Sequence, residues 1–263
     1  MRIKYFTLLF IIIAFTYGQD FEYLKKSAEK GNAEAQGKLG LMYENGTGTA
    51  VDNDKAFYWI KKSAEQEYAI AQGKLGLMYE SGTGTAVNND KAFYWYKKSA
   101  EQGFALAQEM LGLMYEFGKG TLIDKKQALY WYKKSAEQGI AGAQLLLGFM
   151  YFNGKGTTVD DEKAFYWFKK SAEQGDAEAQ KMLGFMYDNG KGTAVDDEKA
   201  FYWFKKSAEQ GNAEAQLKLG LFYYIGEGTL TDKKMAKEWI RKSYENGNEE
   251  AKDFWDKLEL WKY

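Results

Sequence analysis

One interval constrains what this chain can fold into: Trp59, Trp95, Trp131, Trp167, Trp203 and Trp239 follow one another every 36 residues. A constant interval of this size marks a stacked array, in which one small unit recurs and buries its apolar face only against its neighbours. The text around each tryptophan repeats too. Residues 92–103 read AFYWYKKSAEQG, and close copies begin at Ala56, Ala128, Ala164 and Ala200. Proline is absent, so nothing interrupts a helix within the unit.

Each unit reads as two helices. Residues 33–45 set Ala35, Leu39, Met42 and Tyr43 at helical spacing, and Gly46 and Gly48 stop the run. Asp52 then serves as N-cap of a second helix, with acidic Asp54 in its first turn; the same column holds Asn88, Asp124, Asp160, Asp196 and Asp232. Glycine closes most second helices, at Gly31, Gly103, Gly139, Gly175, Gly211 and Gly247, as a left-handed C-cap requires. Glu67 breaks that column, at a cost on the order of 1 kcal/mol if the backbone keeps the left-handed turn. The expectation is an all-α array of about 14 antiparallel helices: a cap helix at 20–30, six repeats at 33–67, 69–103, 105–139, 141–175, 177–211 and 213–247, and a cap helix at 248–263. Polar Lys252, Asp253, Asp256 and Glu259 suit the solvated outer face of a terminal cap.

The first eighteen residues differ from all that follows. Arg2 and Lys4 precede an apolar run from Tyr5 to Tyr17, and Gly18 supplies a small residue for cleavage. The run is shorter than the roughly 20 residues that span a bilayer, so it reads as a secretory signal peptide at 1–18, with no membrane insertion once it is removed. The expected location is the periplasm or the cell exterior.

The residues that recur most faithfully are Ala35, Leu39, Gly40 and Tyr43, the loop Gly46-Thr47-Gly48, Asp52, and Lys55-Ala56 through Ala64-Glu65-Gln66. In these the chain resembles the Sel1-like repeat family, a relative of the tetratricopeptide repeats. The resemblance implies a right-handed α-solenoid superhelix that serves as a scaffold for protein–protein interaction, often exported in bacteria. Some exported relatives are rich in cysteine and linked to β-lactam binding. This chain has no cysteine, so a β-lactam-hydrolase-like activity is only the remote alternative.

Chemistry is sparse. Without cysteine or histidine there is no thiol nucleophile, no imidazole base and no usual zinc ligand set. No Ser-x-x-Lys motif occurs. The Gly-x-Gly loops lack the third glycine and preceding strand of a dinucleotide site, and Asp160-Asp161-Glu162 lacks calcium-loop spacing. No catalytic residue, metal or cofactor is expected. A net charge of −1 gives no general attraction to nucleic acid. A monomer that binds a protein or peptide is the expectation.

Two faces are candidates for binding. On the second helix, Phe57, Trp59 and Ile60 fall on or beside the buried arc, whereas Tyr58 and its equivalents point outward. Tyr94, Tyr130 and Tyr166 each stand four residues before Lys98, Lys134 and Lys170, a convex ladder that either lies along lysine stems or meets a glycan, peptidoglycan or another polymer. On the first helix the repeats disagree, and there a partner rather than the fold can set the residue. Leu106, Leu113, Phe117, Leu145, Phe149, Phe152 and Phe185 predict an apolar patch in a concave groove, flanked by Glu34, Glu44 and Glu80 and by Asp188 and Glu214. Burial of these residues between repeats is the alternative.

Overall fold

The structure, a computed structural model, describes residues 21–258. The signal segment 1–18 and residues 259–263 of the expected cap helix lie outside them. The described residues form fourteen helices and no strand: α1 (Phe21–Glu29), α2 (Ala33–Asn45), α3 (Asn53–Glu65), α4 (Ala69–Ser81), α5 (Asn89–Glu101), α6 (Ala105–Phe117), α7 (Lys125–Glu137), α8 (Ala141–Asn153), α9 (Asp161–Glu173), α10 (Ala177–Asn189), α11 (Asp197–Glu209), α12 (Ala213–Ile225), α13 (Lys233–Glu245) and α14 (Glu250–Lys257). They pack as recurring helix pairs, an all-α solenoid. They fall into two compact units, one ending at Lys134 and the other starting at Ser135, so the division lies inside α7.

In the first unit the pairing is set by size. The helical Gly76 of α4 faces Tyr96 of α5 so closely that a Cβ would stand 2.8 Å from the ring. Gly40 and Gly112 meet Ile60 and Tyr132 in the same way. The loop glycines have a second task. Gly84 has φ of 66°, and a Cβ on it would lie 2.1 Å from the carbonyl oxygen of Asn53, at the start of the preceding second helix. In the first unit each Gly-x-Gly loop therefore ends a first helix and seats on its neighbour, and no phosphate cradle is needed to explain it. Glu67 does keep the left-handed turn, but its φ of 63° lies inside the small well open to L-residues, whereas Gly31 and Gly103 sit at 96° and 91°.

Buried glutamine links successive pairs. Gln72 donates from Nε2 to the carbonyl of Ala64 at the end of α3, 3.2 Å, and accepts from Gln102 of α5 at 2.7 Å. Ser99 Oγ donates to the Ala69 carbonyl, 2.7 Å. One buried amide thus ties the end of α3 to the side chain that follows α5, and its own donor and acceptor are both satisfied.

The second unit repeats these contacts. Gln180 donates to Ala172 and accepts from Gln210, and Ser207 donates to Ala177. Gly148 and Gly184 meet Phe168 and Phe204, and Gly192 seats on the Asp161 carbonyl. Leu145, Phe168, Leu183, Met186, Phe204 and Phe222 belong to one buried cluster, against which Phe149, Phe152 and Phe185 pack from outside.

Candidate functional site

On the first helices of the first unit, the residue one position before the helix end is a glutamate with a partner from a neighbouring helix. Glu44 accepts from the buried Lys74 at 2.7 Å. Glu80 accepts from Tyr96 Oη at 3.0 Å and pairs with Lys119 at 3.3 Å. Glu116, itself buried, accepts from Tyr132 Oη at 2.8 Å, and Lys125 Nζ lies 3.7 Å away. Burial, with the Glu80 charge beside it, pushes the Tyr96 phenol well above its ordinary value, so it stays a donor. Of the expected groove residues here, Leu106 is buried, Leu113 is half-buried, and Phe117 is 59% exposed.

In the second unit the same position holds Phe152, Asp188 and Tyr224, and the first of these makes ring contacts in place of the carboxylate's. Phe152 meets Phe168 with centroids 6.3 Å apart, Phe149 meets Phe168 at 5.0 Å, and Phe152 meets Phe185 at 6.3 Å. All are edge-on contacts, the arrangement that ring quadrupoles favour. Lys191 stands 4.9 Å over the Phe152 ring. Phe149, Phe152 and Phe185 are half-buried, with their inner edges on the core cluster and their outer edges on the surface. Leu145 is buried and offers no surface; as in the case of Leu106, the packing between helices takes it. Both leave the expected contact set.

The tyrosine ladder is built as helical spacing requires. In the first unit Tyr58, Tyr94 and Tyr130 are about half exposed, each edge-on to the adjacent tryptophan at 5.1, 5.0 and 5.0 Å. Lys62, Lys98 and Lys134 stand over these rings at 4.7, 5.6 and 5.8 Å. In the second unit Lys170 covers Tyr166 at 5.8 Å and Lys206 covers Tyr202 at 5.3 Å. Each ring thus has a tryptophan beside it and a lysine over one face, the lysine-stem arrangement expected of a solvated surface.

Sequence reading passed over two features. Asp188, Asp197 and Glu227 bring carboxylate oxygens within 4.8 Å of one another, with Lys218 3.9 Å from Asp188. Burial raises Asp188 and Glu227 above the usual carboxylate range, and for Glu227 the two aspartates add to it. The middle residue of that loop explains the crowding: Lys119 in one repeat reaches a glutamate, and Glu227 in another meets an aspartate. The second feature is the loop tip, where Leu122 and Leu230 are each 87% exposed. Ala50, Ala86, Thr158 and Ala194 hold that column elsewhere, and this contrast was the available signal.

With this geometry in place, the comparisons are specific. The Sel1 repeat family matches residues 21–32, 33–68, 69–104, 105–140, 141–176, 177–212 and 213–248. A protective antigen of uropathogenic Escherichia coli strains, with an SLR fold, is 38% identical with a TM-score of 0.85 over 89% of this chain. The chain spans only 50% of that protein's length. A Sel1 repeat protein from Oxalobacter formigenes is 35% identical with a TM-score of 0.73, covering 82% of this chain and 88% of its own. No curated protein matches the chain. Among the described residues, no helix is long and apolar enough to cross a membrane.

Proposed function

The chain belongs to the Sel1 repeat family, whose members are generally protein-interaction scaffolds and typically not enzymes, and on that premise we propose that it is an exported, non-enzymatic scaffold holding a protein segment against its first-helix face. The observation that carries the reading is the aromatic run Phe149, Phe152 and Phe185. At positions where the first unit uses glutamate or leucine, the second unit places rings whose outer edges remain at the surface. A peptide with apolar anchors suits such a strip. Export rests on the segment 1–18, and the mature chain then begins at Gln19.

The test uses the mature chain as bait in an envelope extract, with captured proteins identified by mass spectrometry and then rebound in purified form. Phe152→Glu with Phe168→Tyr rebuilds in the second unit the carboxylate–phenol pair that the first unit folds around Glu116 and Tyr132. The double variant is expected to melt as the parent does and to lose the partner. Retained binding, with loss instead on Tyr94→Ala plus Tyr130→Ala, would transfer the role to the ladder.

A further inference from the structure

The loop tips carry apolar side chains that the fold does not use. In the third repeat Phe117 ends α6 at 59% exposure, and Leu122 and Ile123 follow at 87% and 64%. In the sixth repeat Ile225 ends α12 at 60%, and Leu230 follows at 87%. The remaining repeats carry asparagine or serine at the helix end and alanine or threonine at the tip, on the same backbone. The leucines therefore serve no need of the loop; Leu122 is followed by Ile123, whose column holds an equally exposed valine in four other repeats, whereas Leu230 stands between two threonines. Exposed apolar groups gathered in this way mark a contact surface.

Charge distinguishes the two tips. The third-repeat loop carries Lys119, Lys125 and Lys126 around Asp124; Lys119 is paired with Glu80 and Lys125 Nζ is turned back to the Glu116 carbonyl, so Lys126 is the cation this tip offers a partner, and the preceding second helix opens with Asn88-Asn89-Asp90. In the sixth-repeat loop Glu227 stands in place of that first lysine, and the preceding second helix opens with Asp196-Asp197-Glu198. Those three acidic residues, with Gly228, Thr229 and Leu230, line an open hollow of about 510 Å³. Lys233 and Lys234 offset part of this charge, but Lys233 Nζ is turned back to the Tyr224 carbonyl, 2.6 Å away. One tip is thus apolar and basic, and the other apolar, hollow and acidic.

We propose that a second copy of the chain is the occupant: the third-repeat tip of one molecule, through Phe117, Leu122, Ile123 and Lys126, seats on the sixth-repeat tip of another, at Leu230, Asp197 and Glu198. The contact is heterologous, since unlike patches meet, so each molecule keeps one free tip of either kind and can add a further copy. It is small and depends on ionic strength. Apart from Phe117 at the end of α6 it leaves the first-helix face free, Phe149, Phe152 and Phe185 included, and it replaces the expectation of a strict monomer.

Leu122→Ser and Leu230→Ser give a test that separates the alternatives, and because both side chains are exposed neither variant should unfold. Sedimentation of the mature chain up to about 1 mM, the weak end of measurable association, should show concentration-dependent assembly that recedes in high salt. Each variant alone should lose affinity by about tenfold or more. A mixture of the two restores one intact interface and should give particles of two chains and no larger. Lys126→Glu should weaken assembly, and Glu198→Lys on the partner should restore it. A parent chain that stays monomeric throughout overturns the proposal. So do variants that assemble as the parent does. Loss on Leu122→Ser that the mixture does not rescue, with Leu230→Ser unaffected, would also overturn it by showing a contact between like tips.

Discussion

Where the first unit sets a carboxylate against a phenol, at Glu80 with Tyr96 and Glu116 with Tyr132, the second sets ring against ring, at Phe152 with Phe168. A second exchange runs beside it. Gly37 and Gly73 leave room that Tyr68 and Phe104 fill from the start of the next helix, and those two residues give α4 and α6 no side-chain cap. In the second unit Leu145 and Lys181 are bulky at the glycine position, and the starts of α10 and α12 are capped instead by Asp176 and Asn212. The backbone is the same, so what the solenoid requires is a matched pair at each position and not a particular residue. An outer surface that differs between the units follows from which pair was chosen.

The comparison can be broken one partner at a time. Tyr132→Phe strips the buried Glu116 of its phenol donor and should cost about 2–3 kcal/mol in urea unfolding; adding Glu116→Phe should recover most of it. Phe168→Tyr drives a hydroxyl toward Phe152 with nothing to accept it, for about 2 kcal/mol, and Phe152→Glu should rescue it. Asp176→Ala removes the cap of α10 and should cost about 1 kcal/mol, whereas Phe104→Asn in the uncapped class should bring no net gain, because it leaves the space over Gly73 empty. Glu67→Gly relieves the one non-glycine turn and should add about 1 kcal/mol to thermal stability. The smallest effect concerns Glu227→Lys, which restores the lysine-to-carboxylate pairing seen at Lys119 and Glu80 and should add about 0.5 kcal/mol at pH 7. Asp188 and Glu227 both have raised values in the folded chain, so their penalty is present above those values and disappears as protons bind. The gap between variant and parent should therefore close as pH falls to about 4.

The interval between tryptophans, the cap column and the closing glycines made the helix pairs legible, because each rests on local backbone chemistry. The outward tyrosines were legible for the same reason: one helix wheel places them. The first-helix face was less so. Leu106 and Leu145 share spacing with Leu113 and Phe149, yet two are buried and two half-exposed, since the neighbouring repeat decides and no single helix contains that information. Glu116 with Tyr132 was missed because the partners stand sixteen residues apart on different helices. The exposed leucines escape a reading by periodicity because they stand in loop tips, outside any helical column.

The Gly37–Tyr68 fit also bears on how such a gene can grow. A repeat with an aromatic opening residue and a following glycine, as at Tyr68 and Gly73, can be duplicated in tandem, because each copy brings the plug for its predecessor's gap. Duplicating the first repeat would set Asn32 where an aromatic is needed and leave a void over Gly37. Unequal crossing-over therefore finds some repeats, the second among them, ready to multiply, and the first fixed in place.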